Sequence, residues 1–187
     1  LCGKLISKKN LEEVFLEVEQ INNGQEITFF EITTAAAFLV FSRIKADILL
    51  LEVGLGGRLD ATNVIENPLA SIITSISYDH ENFLGNTLKQ IAFEKSGIIK
   101  KNIPVITQNQ NNDVIEVFSK ASKKLNAPLY IIGDNIKVNT DSKSVIKVNI
   151  DENIISFKKP SLLGDYQNTN AVLAISSLII CKNKIQN

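Results

Sequence analysis

The chain has no methionine among its 187 residues, a single histidine and two cysteines. A natural reading frame usually opens with methionine, and this one opens with Leu1, so the sequence reads as a piece of something longer. Cys2 and Cys181 lie near opposite ends, in neither metal-ligand nor Cys-x-x-Cys spacing, as expected of two reduced thiols in a cytoplasmic protein. Each then serves only as a small apolar residue. An excess of either charge is also missing. With 20 basic and 20 acidic residues the net charge is zero, which argues against a nucleic-acid or anionic-membrane partner. No apolar run approaches the length of a membrane span, and the N-terminus carries no signal-peptide pattern.

What is present is ordinary for a globular chain: 44% apolar and 21% charged residues, enough sequence for one sizeable domain. Asn10 with Glu13 reads as a capping box for a helix with Leu11, Val14, Phe15, Val18 and Ile21 on one face, ended by Asn22-Asn23-Gly24. Glu31–Phe41 reads as a more apolar helix, suited to lying against a sheet. Asp47–Val53 and Ala70–Ser77 are near-continuous apolar runs, as strands covered on both faces require. Thr87 and Gln90 form a capping box opening a helix that Gly97 terminates. Ile103–Thr107 is a further strand, Asp113–Leu125 a helix and Pro128–Ile132 a strand. From Ile136 to Phe157 short alternating segments separated by polar turns predict antiparallel pairing, and Asn168–Ile180 is a last helix. The fold expected is α/β: a mostly parallel sheet flanked by helices, with a small antiparallel β appendage at about 136–157.

Three chemistry-bearing residues fall at or just after strand C-termini, the edge where open α/β sheets bind ligands. Glu52 ends the first apolar run. A buried carboxylate there needs a partner, and two stand open: an ion pair with Arg58, or a hard divalent cation. His80 follows the second run through Asp79, either as a satisfied structural residue or as a ligand. Lys95 sits in a helix beside Ala92, Phe93, Gly97 and Ile98. It is either a lysine that snorkels to solvent, or a partly buried amine able to react with carbon dioxide to give a carboxylate-like carbamate. Glu94 is placed poorly to pair with it, because adjacent helix residues do not face each other. The glycines of Gly54-Leu-Gly-Gly57 fail the dinucleotide-binding spacing, since position 59 is Leu59. The phosphate-gripping P-loop pattern is missing too: the sole Gly-Lys pair, Gly3-Lys4, is followed by Leu5. Gly54–Gly57 instead suits a sharp turn with close backbone approach.

The string Glu52-Val-Gly-Leu-Gly-Gly-Arg-Leu-Asp-Ala-Thr-Asn63, then Asp79-His80, Leu84-Gly85 and Glu94-Lys-Ser-Gly-Ile98, closely resembles folylpolyglutamate synthase/dihydrofolate synthase, of the Mur ligase superfamily. The resemblance runs from Thr28-Phe-Phe-Glu31 through Leu162-Leu-Gly-Asp-Tyr-Gln167 and Asn170 to about Ile175. It implies an ATP-dependent ligase that joins L-glutamate to dihydropteroate or to a folate, through an acyl phosphate. It implies Glu52 and His80 as magnesium ligands and Lys95 as a carbamylated lysine that holds a second metal, with Lys95 and His80 catalytic. Thr28, Phe29, Phe30 and Glu31, with Leu59, Asp60 and Ala61, would contact the pterin substrate, and Asn170 would lie near adenine. A cytoplasmic monomer is expected. So is one incomplete central domain over residues 1–187, inactive alone for want of the P-loop and of a C-terminal domain. Tyr166 stands where the family often has histidine, and tyrosine supplies no cation. Two other readings remain, a non-catalytic remnant of a split gene and a cell-wall Mur-type ligase. Thr28–Glu31 and Arg58-Leu-Asp60 argue for folate over the second.

Overall fold

The computed structural model describes residues 3, 5–141 and 144–185, which fall in two compact units. One holds the residues up to Leu55 together with Asp60–Val64; the other holds Gly56–Leu59 and the chain from Ile65 onward. Cys2 lies outside the described residues.

The first unit is built on a helix pair. Helix α1 (Lys8–Asn22) is capped by Ser7, whose hydroxyl accepts from the Asn10 N–H at 3.2 Å. The cap thus lies three residues before the expected Asn10, because Ser7 reaches the free amides of the first turn and Lys8-Lys9-Asn10 wind into the helix behind it. The left-handed Asn23 (φ 50°) ends the helix where expected. Helix α2 (Phe29–Arg43) begins two residues earlier than its apolar pattern suggests, since Thr28 and Glu31 form a reciprocal capping box. Val14 and Val18 of α1 pack on Ala36 and Val40 of α2, and Arg43 bridges to Glu17 at 2.6 Å.

The expected strand Asp47–Val53 does not form. The segment pairs with no described residue and Leu50 is 88% exposed. An apolar run becomes a strand only when another strand completes its hydrogen bonds.

The second unit contains the parallel sheet. Strand β1 (Ser71–Ile73) is the paired remnant of the expected Ala70–Ser77 run, shortened because β2 offers partners only to Ser71, Ile72 and Ile73. A short helix α3 (Glu81–Leu84) and α4 (Leu88–Ser96) follow, the latter opened by the expected Thr87/Gln90 box. Strand β2 (Val105–Gln108), helix α5 (Asn112–Lys124) and strand β3 (Leu129–Ile132) complete a three-stranded sheet of order β1-β2-β3. Strands β4 (Lys137–Thr140), β5 (Val145–Ile150) and β6 (Asn153–Lys158) pair antiparallel as the expected appendage, before helix α6 (Tyr166–Ile185).

Alternation along β2 sends its side chains to two cores. Val105 joins Ala92 of α4 with Val114 and Phe118 of α5; Ile106 joins Val172 and Leu173 of α6 with Ile146 and Val148 of β5. The buried Thr107 hydroxyl donates to the Ile73 carbonyl at 2.8 Å, tying β2 to β1.

Candidate functional site

Glu52 lies in the first unit, exposed, so the cost of burying a lone carboxylate does not arise there. It lines an open hollow of about 190 Å³ with Phe30, Thr33, Phe38, Leu51 and Thr62 among its neighbours. Phe30 sits on the first turn of α2 with its ring against Gly54: a Cβ at Gly54 would stand 2.4 Å from the ring. Phe29, one residue earlier, is 82% exposed. Thr28 and Glu31 are engaged with each other. The Thr28 N–H and hydroxyl both donate to the Glu31 carboxylate, at 2.9 and 2.6 Å, and hold its pKa below the ordinary carboxylate value.

Asp60 organises the glycine turn. Its carboxylate accepts from the Gly54 and Leu55 amides at 3.0 and 2.9 Å, and from the Thr62 amide and hydroxyl at 2.9 and 2.5 Å. Burial raises its pKa, but the Thr62 hydroxyl and the three amides outweigh that, and the net shift is downward. Leu59 is exposed and Ala61 half-buried on either side.

His80 and Lys95 lie in the second unit. His80 is exposed and left-handed (φ 50°), immediately before α3. Its amide donates to Asp79 Oδ1 at 2.8 Å, and its Nε2 lies 3.7 Å from Asp79 Oδ2. Histidine enters that region more readily than most residues, yet the conformation is uncommon and marks a constrained turn. Lys95 is half-buried in the last turn of α4. Arg58 does take a carboxylate partner, and it is Glu94: Nε reaches Oε2 and Nη2 reaches Oε1, both at 3.1 Å. The sequence left Glu52 as the candidate because the pairing of Arg58 depends on how its loop meets α4, which no local pattern encodes.

Asn170 is exposed on the first turns of α6, its amide donating to Gln167 Oε1 at 3.3 Å; Tyr166 is exposed at the start of that helix. Cys181 is buried and reduced, and burial raises its thiol pKa while Lys184 opposes the shift. Among the described residues no helix is long and apolar enough to cross a membrane, and no three His, Cys, Asp or Glu side chains form a metal-ligand group. The ligand set expected from sequence contains only two such residues, with a lysine.

A parallel sheet between helices, followed by a small antiparallel sheet, is the architecture of a ligase middle domain. The family described as Mur ligase middle domain matches residues 2–178, and the chain belongs to it. It is 39% identical to the dihydrofolate synthase/folylpolyglutamate synthase of Bacillus subtilis over 163 residues, which cover 84% of this chain and 37% of that protein. The crystal structure of folylpolyglutamate synthase from Thermotoga maritima matches with a TM-score of 0.84 at 32% identity, covering 96% of this chain and 43% of that one. E. coli FolC in complex with DHPP and ADP matches with a TM-score of 0.84 at 26% identity, over 96% of this chain and 42% of that one. The chain thus spans well under half the length of each of these three proteins.

Proposed function

We propose that the chain is the middle domain of an ATP-dependent ligase that adds L-glutamate to dihydropteroate or to a folylglutamate. In that reaction the γ-phosphoryl group of ATP passes to the acceptor carboxylate, and the glutamate amine then displaces phosphate from the acyl phosphate. The rate of such chemistry depends on positioning and on neutralising charge.

One observation carries the assignment of residues. Within the strings that identify the family, the structural charges are already engaged: Asp60 by the turn amides, Glu31 by Thr28, and Arg58 with Glu94. The Glu52 carboxylate and the Lys95 amine make no ion pair among the described residues. Each is a charged group left uncommitted within its own unit, as a ligand residue is before its ligand arrives. The Glu52 carboxylate in the first unit offers the oxygen donor that magnesium prefers; in the second unit His80 would offer a softer imidazole nitrogen, and Lys95, as its carbamate, oxygens for a second cation. Magnesium, when bound, screens the charge of the phosphoryl oxygens.

The other residues divide by surface. The hollow beside Glu52 is walled by Phe30 and Phe38 and edged by Thr33 and Thr62, a lining suited to a flat heteroaromatic ring with polar edges. The Thr28–Glu31 cap sets the first turn of α2, which carries Phe30 into that lining and leaves Phe29 exposed to a substrate. Asp60 acts by shaping the turn that carries Leu59 and Ala61. Asn170, exposed on α6, is available to an adenine edge. The E. coli neighbour, solved with DHPP and ADP, supports a pterin acceptor and a nucleotide for this chain. We place the reaction in the cytoplasm and expect a monomer.

The test is a chimera in which this chain replaces the matching segment of the Bacillus subtilis relative. Glutamate-dependent phosphate release with ATP, magnesium and dihydropteroate is expected from the chimera and not from the isolated chain. Lys95→Ala and Glu52→Gln should each lower kcat of the chimera by about 100-fold or more, the scale of losing a group that stabilises transition-state charge. A folded chimera without turnover refutes the reading, as does robust turnover by the 187 residues alone. Unchanged activity in Lys95→Ala would remove that residue from the site.

A further inference from the structure

We propose that Arg58 is a positioning residue for Lys95: by clamping Glu94 it fixes the last turn of α4, and with it the point from which the Lys95 side chain departs. This rests on the reading of Lys95 as a ligand residue. The Arg58 guanidinium meets the Glu94 carboxylate through two N–H groups, and its backbone N–H donates to the Glu94 carbonyl at 2.8 Å. Side chain and main chain of one residue therefore grip side chain and main chain of another. Phe93 lies under the same guanidinium, 5.7 Å from its ring centre.

The fit is also steric. A Cβ on Gly57 would stand 3.0 Å from the Glu94 carbonyl oxygen and 3.1 Å from that of Lys95, and one on Gly97 would stand 2.3 Å from the Arg58 Cα. Glycine on both sides lets loop and helix meet backbone to backbone. On the far side the Ser71 hydroxyl donates to the Ile98 carbonyl at 2.7 Å. The segment just after α4 is thus tied to β1, while the last turn of α4 is held by the Arg58 loop. A partly exposed ion pair contributes little to stability alone. Its value here is directional. Adjacent helix residues point apart, so a clamp on Glu94 fixes the backbone of Lys95 and leaves its amine clear.

Competitive acetylation with acetic anhydride, read by peptide mass spectrometry as the ratio of Lys95 to Lys101 modification, tests the clamp on the 187-residue chain. Arg58→Ala should raise the ratio about fivefold, as expected for losing roughly 1 kcal/mol of local restraint. Arg58→Lys, which keeps the charge but loses the two-pronged fork, should raise it less. An unchanged ratio in Arg58→Ala with intact helicity overturns the proposal. If Arg58→Ala does not fold, Arg58→Lys decides, and an unchanged ratio there overturns it. In the chimera, Arg58→Lys should lower kcat and leave KM for ATP unchanged; a normal kcat overturns the positioning role. Failure of the functional reading shows separately, as a chimera whose Lys95→Ala variant stays fully active whatever the acetylation ratio.

Discussion

The two units treat similar sequence very differently. In the sheet unit the apolar run 103–107 supplies a central strand with partners on both edges, and its side chains divide between two cores. In the helix-pair unit the run 47–53 is as apolar and ends in the family's acid, yet it pairs with no described residue and leaves Ile48, Leu49 and Leu50 exposed. The difference lies in the neighbours. Residues 105–108 have β1 on one side and β3 on the other, in register from Val105 to both Ser71 and Leu129. A segment without a ladder keeps its backbone groups in water, and apolar composition alone supplies no direction in which to bury it.

The largest effect expected is in the central strand. Ile106 is 0% exposed between the parallel sheet, α6 and β5. Ile106→Ala should cost about 2–5 kcal/mol through lost transfer energy plus the cavity left behind. Urea unfolding followed by far-UV circular dichroism measures it. A loss below about 1 kcal/mol, the scale of an ordinary surface change, would break the contrast between the units.

That contrast also separates what was legible in the sequence from what was not. The Thr87/Gln90 cap, the β2-α5-β3 succession and the antiparallel appendage are written in local spacing and turn chemistry, and they appear nearly where expected. Ser7 in place of Asn10 is a choice between two residues able to cap, and the hydroxyl of Ser7 takes the Asn10 amide itself. Thr28 and Glu31 carry a capping box that reading the segment as a substrate contact hid. Lys95 was legible as an uncommitted lysine in an apolar helix. The partner of Arg58 was not, because Glu94 lies 36 residues away and only the fold brings them together. Glu52 kept its place next to the glycine turn, but the strand meant to bury it is absent.

Asp60 sharpens the comparison inside the first unit, where one carboxylate rather than a core holds the turn. Its folded pKa lies below the ordinary 3.8, so its charged form is favoured by folding. The stabilisation is present above the unfolded pKa and is lost as pH falls through the lowered folded value. Asp60→Asn should therefore melt below the parent near neutral pH, with the gap closing as both are acidified below about pH 4. The effect is modest because the group is only half-buried and water screens part of its charge. A gap that stays constant down to pH 2 would mean that the turn is held by shape rather than by the Asp60 charge.

The smallest effect belongs to Leu50, in the middle of the run that reads as a buried strand. A leucine buried in a strand covered on both faces would cost about 2–5 kcal/mol to truncate. At 88% exposure Leu50 has little contact area to lose, and Leu50→Ser should leave the unfolding free energy of the 187-residue chain, measured by urea titration, within about 0.5 kcal/mol of the parent. The serine variant should also be the more soluble, since it interrupts a run of exposed apolar side chains from Ile48 to Leu51. A loss of about 2 kcal/mol or more would show the segment packed as a strand in solution. Glu52 would then end that strand, and the cost of burying its carboxylate would return as an argument for a bound cation.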